Sequence, residues 1–514
     1  MNVLNSRISC FSLRFIALVG LSTYSMAVTS APLSTPNSPT IELLEQIPQE
    51  NSPKIEAAPE ESEESAREIV EVVTSNGTSS SFFEIEQQAL ANACLLDEDH
   101  YVAEFLYQNE DTCYWDVDST NNTISKVDNP IPPIDSIILP PPTGNDDTAV
   151  IEQIINSNPG AAVVGNGIYK INNLKITVPI DIYNLPVKVA RGATEIFFIE
   201  SPNVRIFNSP IDANNESSVY TGFHVKSGSH NFTLVKSGVS NIKHTQGKNA
   251  AGVTIRHANN FHLACNTFEN ITNSTSDKNA TARANAIWMT GGHSGTTSGG
   301  TIVNNIANNL QSNGARKDSE FFTIQGYKST DSKNPVKIFA NRGFEGGKRM
   351  TKHQEGNALV LSNSYTWEEK SGPLGDRLLL AMVNVQFAHN VTARNNRFRV
   401  AADGRFDYIF NLNAQERTFV PDNVHFDCNS IEIADVTDIN GGSISQIITA
   451  RNADLTASDT GHEATNSTAN YNHVFGQGAT SFHYFFGEGY PNDGGRFETT
   501  GNIFEIPANR RIYK

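Results

Sequence analysis

The chain has 514 residues, with 38 Lys and Arg against 55 Asp and Glu, so that its formal net charge is −17 at pH 7. An acidic protein of this length can bury a large core, and its charge disfavours nucleic acid as a partner. After residue 27, no stretch approaches the roughly 20 consecutive apolar residues that span a bilayer.

The N-terminus has the pattern of a secretory signal peptide. Arg7 and Arg14 precede the apolar stretch FIALVGL at 15–21, and small residues follow it up to position 27. Basic, apolar and small residues in this order are typical of a segment removed on export. We therefore predict a signal peptide over residues 1–27 and a secreted or periplasmic protein.

The composition changes twice before residue 146. Residues 28–80 are rich in Pro, Ser and Glu, which predicts an acidic, disordered tether. Residues 81–128 hold Cys94 and Cys113 among aromatic side chains and predict a small segment, either folded alone or packed on the main domain. Consecutive prolines in residues 129–145 then predict a stiff linker.

A helix is predicted to start at Asp147. This residue is placed to cap a helix in which Val150, Ile151, Ile154 and Ile155 share one face. Such a helix would plug the N-terminal end of the following domain and protect its first strand edges from other chains.

A short unit recurs through the middle of the chain. Residues 260–268, 357–365, 390–398 and 423–431 read NFHLACNTF, NALVLSNSY, NVTARNNRF and NVHFDCNSI. Apolar residues at the first and third places after the leading Asn predict a strand with one buried face. The second Asn predicts a corner, where Asn tolerates a left-handed backbone and can bond its stacked neighbours. Such a recurrence is typical of a solenoid.

These units resemble the pectate lyase superfamily. The resemblance implies an all-β fold, a right-handed parallel β-helix (solenoid) with an N-terminal capping helix, over residues 146–450. Residues 451–514, which include the aromatic stretch FHYFFGEGY, are then expected to form a C-terminal cap or extension.

The cysteines are predicted to fall into two groups. Cys94 and Cys113 lie in one small segment and can form a disulfide in an oxidising compartment. Cys265 and Cys428 take the same place in their units but are five coils apart, which is on the order of 24 Å at about 4.8 Å per coil. A disulfide needs Cα atoms within roughly 7 Å, so we predict that Cys265 and Cys428 are free, buried thiols.

A cationic stretch stands out in this acidic chain. Residues 316–352 hold nine Lys and Arg against four Asp and Glu, an excess of five positive charges. A polyanion, such as an acidic polysaccharide, would be attracted to this stretch, which begins with Arg316 and Lys317.

Strand alternation predicts which of these side chains face outward. If Phe322 and Ile324 point inward, Thr323 and Gln325 face out. In the next coil, if Thr351 and His353 point inward, four residues face outward. Lys352 would then lie one coil from Gln325. These four are Lys348, Met350, Lys352 and Gln354.

This arrangement resembles the alginate lyase and chondroitinase B group of polysaccharide lyases. Lys352-His353 with Gly356-Asn357 is similar to the basic strand end of that group, with Lys in place of its Arg. Gln325 stands in place of its catalytic Lys. The resemblance implies cleavage of a uronate-containing polysaccharide by β-elimination.

The chemistry of elimination assigns roles to these residues. The reaction removes a C5 proton, and the charge that develops is stabilised when the neighbouring carboxylate is neutralised. A Lys whose pKa is lowered by adjacent cations can act as the base. Lys352 is the candidate base and Lys328 its competitor, with Arg349 and Gln325 on the carboxylate. Either Tyr327 or His353 would protonate the leaving oxygen, and Lys348, Gln354, Arg316 and Lys317 would bind substrate.

Outward side chains contribute little to a core, so we expect Lys352→Ala and Arg349→Ala to abolish turnover and leave unfolding nearly unchanged. Two other functions stay open. A polygalacturonase-like hydrolase would need a carboxylate pair, for which Asp403 and Asp407 are candidates. A surface adhesin would need no catalytic group.

Ligand spacing assigns no metal site and no certain cofactor. Ca²⁺ is a possible cofactor, because Glu320, Glu345 and Glu355 lie near the predicted cleft. We expect a monomer.

Overall fold

The computed structural model describes residues 93–121, 123–275, 282–290, 299–313, 318–325, 334–345, 347–354, 357–368, 381–386, 388–401, 408–413, 421–433, 446–451, 466–476, 482–489, 497–498, 500–505 and 508–510. The predictions for residues 1–92 lie outside these ranges.

Three parallel sheets form the body of the protein. In each sheet, neighbouring strands are generally three elements apart in sequence, so the chain visits the sheets in turn and each circuit adds a rung. This is a parallel β-helix, as predicted. Its interior is filled by one continuous apolar cluster that runs from Leu139 to Val474.

Sheet 1 contains β3 (Ile137–Ile138), β4 (Ala162–Val164), β7 (Ile180–Tyr183), β10 (Val204–Phe207), β13 (Thr233–Val235), β17 (Phe261–Ala264), β20 (Gly300–Val303), β23 (Val336–Phe339), β26 (Ala358–Leu361), β29 (Val391–Arg394), β32 (Val424–Asp427), β35 (Ser467–Thr468) and β38 (Phe497–Glu498). Sheet 2 contains β5 (Tyr169–Ile171), β8 (Val187–Val189), β11 (Ile211–Asp212), β14 (Gly238–Ser240), β15 (Lys243–His244), β18 (Thr267–Asn273), β21 (Ile306–Ser312), β24 (Arg342–Phe344), β27 (Ser364–Glu368), β30 (Arg397–Ala401), β33 (Ser430–Ile433), β36 (His473–Phe475) and β39 (Ile503–Phe504). Sheet 3 contains β6 (Leu174–Ile176), β9 (Glu195–Ile199), β12 (Thr221–Val225), β16 (Ala250–Arg256), β19 (Ala284–Thr290), β22 (Ser319–Gln325), β25 (Arg349–Gln354), β28 (Ala381–Gln386), β31 (Tyr408–Asn413), β34 (Gln446–Arg451), β37 (Phe482–Gly489) and β40 (Ala508–Arg510).

The strands of the four repeat units are β17, β26, β29 and β32 of sheet 1, and their burial is confirmed. The first and third residues after the leading Asn are buried in every unit, including Phe261 and Leu263 in the first. The second Asn of each unit belongs to a chain of eight buried or half-buried amides, in which each Nδ2 donates to the next Oδ1 at 2.9–3.1 Å. This asparagine ladder comprises Asn266, Asn305, Asn341, Asn363, Asn396, Asn429, Asn472 and Asn502.

The backbone of the ladder differs from the prediction in one respect. The left-handed residue of each corner is the one before the ladder Asn, for example Cys265 at φ 54° and Ser362 at φ 52°. This position turns the chain, and the Asn that follows is then free to point its amide along the stack.

The capping helix α2 (Thr148–Asn156) closes the N-terminal end, because Ile151 and Ile155 enter the apolar cluster. Two details of the prediction were wrong. Val150 is exposed, and the Asp147 carboxylate caps no helical N–H but accepts bonds from the N–H and hydroxyl of Thr143 at 3.0 and 2.6 Å. The carboxylate therefore closes the preceding loop.

The small N-terminal segment packs along the outside of sheet 1. Helix α1 (Glu98–Gln108) and the antiparallel pair β1 (Tyr114–Asp118) and β2 (Thr123–Val127) cover an apolar stripe there. The stripe is made by the last residues of seven successive sheet 1 strands, namely Tyr183, Phe207, Val235, Ala264, Val303, Phe339 and Leu361.

The disulfide prediction was wrong. Cys94 bonds to Cys428 and Cys113 bonds to Cys265, with Cα separations of 5.8 and 5.6 Å. Cys265 and Cys428 are not bonded to each other, as expected from their separation. The segment from Cys94 to Cys113 runs along the solenoid, so that Cys94 reaches Cys428 and Cys113 reaches Cys265. None of the four is a free thiol.

Candidate active site

The candidate site lies on the outer face of sheet 3, where β22 and β25 are adjacent rungs. Phe322 and Ile324 point into the core, and Thr323, between them, pairs in register with Lys352. Alternation therefore places Thr323 and Lys352 on the outer face, as predicted.

Arg349 reaches the same face because the pairing skips one residue in each rung. Glu320 pairs with Arg349 and Phe322 with Thr351, so Phe321 and Met350 are left out of the ladder and enter the core. The prediction that Met350 faces outward was wrong for this reason. Strict alternation would put Arg349 and Lys352 on opposite faces of the sheet. Because Met350 and Thr351 both point inward, Arg349 lies on the same face as Lys352.

Lys352 is buried despite its outward direction, with a side chain only 4% exposed. The pKa of Lys352 is lowered to about 8, chiefly by burial, since loss of water disfavours the ammonium form. Glu320 and Asp318 oppose this lowering, and Arg349 and Arg283 contribute to it. An amine in this environment can be neutral near physiological pH.

One carboxylate holds the cations together. Burial alone would raise the pKa of Asp318, but four positive charges outweigh it and hold that pKa well below its usual range. The four lie at 3.2 Å for Arg349 Nη1, 3.4 Å for Lys348 Nζ, 3.7 Å for Arg283 Nε and 3.9 Å for Lys352 Nζ. Asp318 therefore stays ionised and fixes their positions.

Arg349 is committed to a second buried carboxylate. Its Nη1 donates to Glu320 Oε1 at 2.6 Å, and the two residues are 6% and 0% exposed. Within the described ranges, no group hydrogen-bonds Arg349 Nε or Glu320 Oε2, although both atoms are buried. Buried polar atoms rarely lack partners, so the bonding capacity of Arg349 and Glu320 is only partly used by the described residues.

The cluster keeps a positive excess. Arg283, Lys348, Arg349 and Lys352 provide four positive charges, and Asp318 and Glu320 provide two negative charges, which leaves two. Arg283 and Asp318 were not among the predicted site residues. Asp318 directly precedes β22 and lies two residues before Glu320. This spacing of two carboxylates was the one local pattern in the sequence that could have pointed to Asp318.

Gln325 lies at the open side of this cluster. Its Oε1 accepts from Arg283 Nη1 at 2.7 Å and from Trp288 Nε1 at 3.3 Å, which leaves Nε2 as its remaining donor group. Gln325 and Trp288 are both half-buried. Further along the same face, Gln354 Nε2 donates to Gln386 Oε1 at 2.5 Å, so a polar row continues past the cluster.

His353 faces the interior of the solenoid. It pairs with Ile324 and Val385, is 1% exposed, and neither ring nitrogen has a partner among the described residues. Burial lowers its pKa to about 3. The proposed role of His353 as proton donor was wrong, because the adjacent Lys352 and the imidazole point to opposite sides of the sheet.

Several predicted residues lie outside the described ranges. These are Arg316, Lys317, Tyr327, Lys328, Glu355, Asp403 and Asp407. Across the part of the chain that is described, no group of three or more His, Cys, Asp or Glu could hold a metal. No helix within those ranges is long and apolar enough to cross a bilayer.

Comparison with known proteins gives remote likenesses. No family model and no curated protein matches the chain. Among solved structures, endo-xylogalacturonan hydrolase from Aspergillus tubingensis is 12% identical, with a TM-score of 0.38 over 73% of this chain and 94% of that one. The A-modules of two Azotobacter vinelandii mannuronan C-5 epimerases are similar at 13% identity for AlgE6, with a TM-score of 0.37 over 71% and 96%, and 12% for AlgE4, with 0.31 over 72% and 96%. The fold assignment rests on the sheet topology above, and the resemblance to the pectate lyase superfamily stays a prediction.

Proposed function

We propose that this protein is a polysaccharide lyase that cleaves a uronate-containing acidic polysaccharide by β-elimination. The observation that carries the proposal is Lys352, an amine with a lowered pKa inside a cation-rich cluster on the outer face of the β-helix. A base and a positive environment are the two requirements of proton abstraction beside a carboxylate.

The reaction follows from this arrangement. Neutral Lys352 Nζ takes the C5 proton, the electron pair left on C5 forms the C4–C5 double bond, and the bond from C4 to the glycosidic oxygen breaks. Arg349 and Gln325 are the candidates to hold the uronate carboxylate, since Arg349 Nε has no partner among the described residues and Gln325 Nε2 remains when its Oε1 is bonded. The negative charge that develops is then stabilised where it forms.

The proton on the leaving oxygen has two possible sources. The ammonium formed on Lys352 can return it, or Tyr327 can donate it. Lys328 stays the competing base, and Lys348 and Gln354 stay candidates for substrate binding together with Arg316 and Lys317.

Hydrolysis fits the charges less well. A hydrolase of this kind needs one protonated carboxyl as acid, whereas the pKa of Asp318 is held low and Glu320 is bonded to Arg349. An adhesin would not need a buried amine with a lowered pKa.

The disulfides support the proposed location. Two structural disulfides form and persist in oxidising compartments, which agrees with a secreted or periplasmic protein that meets its substrate outside the cytoplasm. We propose a monomer as the working unit.

The test is ultraviolet absorbance with alginate, polygalacturonate and chondroitin sulfate as substrates. Elimination creates an absorbing unsaturated sugar, hydrolysis gives only reducing ends, and an adhesin gives neither. We expect one substrate to yield the absorbing product, Lys352→Ala to abolish it, and Lys188→Ala to retain it. Lys188 is an exposed lysine on β8 and serves as the matched control. Reducing ends without absorbance would overturn the proposal.

A further inference from the structure

A second polar cluster lies on the same outer face, nearer the N-terminal end. His224 Nδ1 is 2.8 Å from Glu195 Oε1, which also accepts a hydrogen bond from the Tyr220 hydroxyl. Burial alone would raise the pKa of Glu195, but these bonds and the nearby Lys226 hold it low, so the carboxylate is ionised. An ionised carboxylate orients the imidazole with its proton on Nδ1.

The other ring nitrogen, Nε2, is not used by this cluster. His224 is 5% exposed, and within the described part of the chain nothing hydrogen-bonds its Nε2. The Phe198 ring meets the imidazole edge-on at 5.8 Å between centroids, and Lys226 Nζ lies 4.1 Å over that phenyl ring. A held imidazole with a bare acceptor nitrogen is suited to receive a hydroxyl.

The two clusters are joined by one row of register partners. His224 pairs with Thr254, Thr254 with Trp288, Trp288 with Thr323 and Thr323 with Lys352. Four steps at about 4.8 Å put the ends of this row about 19 Å apart. The half-buried Trp288 indole stands midway and offers an apolar ring face.

A neighbouring row carries positive charge. Arg256 follows Ile255 on β16 and is exposed, and Thr290 connects it by register to Gln325. Lys226 lies one rung nearer the N-terminal end than Arg256. It follows Val225, and Val225 pairs with Ile255. Anionic groups of a long ligand would meet these cations on the same outer face, three and four rungs from Lys352.

We propose that His224, held by Glu195, forms a distal sugar-binding subsite, and that an acidic polysaccharide lies along the solenoid axis from Lys352 to His224 and Arg256. The inference rests on the proposed function for the nature of the polymer. A polysaccharide that contacts both Lys352 and His224 makes more contacts than a disaccharide can, so the long chain should bind more tightly.

The experiment measures binding, separately from turnover. Affinities are determined by calorimetry, at a temperature too low for cleavage, for alginate, polygalacturonate and chondroitin sulfate and for the disaccharide of each. His224→Asn keeps a donor for Glu195 and removes the outer nitrogen, and Arg256→Ala removes an exposed charge with no core role. His425→Gln is the control, because that histidine lies on sheet 1 and bonds Thr468 and Asn423.

We expect each of the first two variants to weaken polymer binding about tenfold and to leave disaccharide binding unchanged, and the control to change neither. Equal losses for polymer and disaccharide, or no loss in either variant, would overturn the subsite. If length-dependent losses are found but no unsaturated product forms, the subsite stands and the lyase proposal fails. If the product forms and both variants bind as the parent does, only the subsite fails.

Discussion

At the residue scale, the central fact is a basic side chain that is directed outward and yet buried. Exposed lysines lose their proton only in alkaline solution, whereas burial lowers the pKa of Lys352 to about 8. Lys352, the three cations beside it and two carboxylates form a fixed arrangement, so the cost of burying these charges is partly recovered by their mutual attraction.

The first prediction concerns the pH dependence of turnover. The base must be deprotonated, so kcat/KM should rise with pH up to about 8, the pKa of Lys352, and then level off. Initial rates of unsaturated-product formation across neutral and alkaline pH provide the measurement. Lys352→Arg retains a positive charge but no titration in this range, and it should be inactive throughout. A flat profile for the parent protein would remove Lys352 as the base.

The second prediction corrects the expectation that Arg349→Ala leaves stability unchanged. Removing Arg349 leaves Glu320, at 0% exposure, without its cation. Breaking a buried pair from one side costs about 3–5 kcal/mol, so the midpoint of chemical denaturation should fall markedly. The double variant Arg349→Met with Glu320→Gln should recover part of the loss. An unchanged midpoint would mean that solvent reaches Glu320.

The sequence predicted the outward face of Lys352 and its nearness to Arg349, but not its burial or its pairing with Asp318. Alternation requires only neighbouring residues, and it placed Thr323 and Lys352 correctly. The inward direction of Phe321 and Met350 depends on how β22 and β25 align. That alignment is a relation between distant parts of the chain. The same relation brings Arg283 and Asp318 together, and no local pattern marks it.

At the scale of elements, buried amides fix the corner between sheets 1 and 2. Asn396 Nδ2 donates to Val360 O at 2.8 Å and to Asn429 Oδ1 at 3.0 Å, and its Oδ1 accepts from both the N–H and the amide of Asn363. All four bonds lie out of contact with water. Each rung therefore aligns the next.

The third prediction follows from that bonding. Asn396→Ala should cost about 3 kcal/mol or more, because several buried donors and acceptors lose their partners at about 1–3 kcal/mol each. Asn390→Gly is the control. Asn390 also bonds the amides of Asn357 and Asn423, but it is half-buried, so water can replace these bonds. Gly tolerates its φ of 55°, so its loss should cost less than about 1 kcal/mol. Equal losses in denaturant unfolding would argue against a special role for the ladder.

Element spacing also explains the cysteine error. The two cysteines of the repeat were placed five coils apart correctly, and the pair in the small segment was judged close because it is close in sequence. Helix α1 has 11 residues, or about 16 Å at 1.5 Å per residue, and with its flanks it spans the same distance as the coils. A sequence gives the length of such a helix but not the surface along which it lies.

At the scale of the whole molecule, one outer face is occupied and another carries the candidate site. Sheet 1 is covered by α1, β1 and β2 through its apolar stripe, two disulfides and the ion pair of Lys337 with Asp99. The polar rows and the charged cluster lie on sheet 3. The repeat predicted the solenoid, but which face is free depends on where the N-terminal segment docks.

The last prediction tests that division of faces. A chain that starts at residue 129 lacks α1 and its strands, so the stripe from Tyr183 to Leu361 becomes exposed. Apolar patches of this length promote association, and the truncated protein should bind a hydrophobic dye and self-associate in light scattering. A chain that starts at residue 93 keeps the covering segment and should stay monodisperse. Since Lys352 and Gln325 lie on another sheet, the soluble fraction of the shorter chain should still bind acidic polysaccharide, and loss of binding in a correctly folded fraction would place the site across both faces.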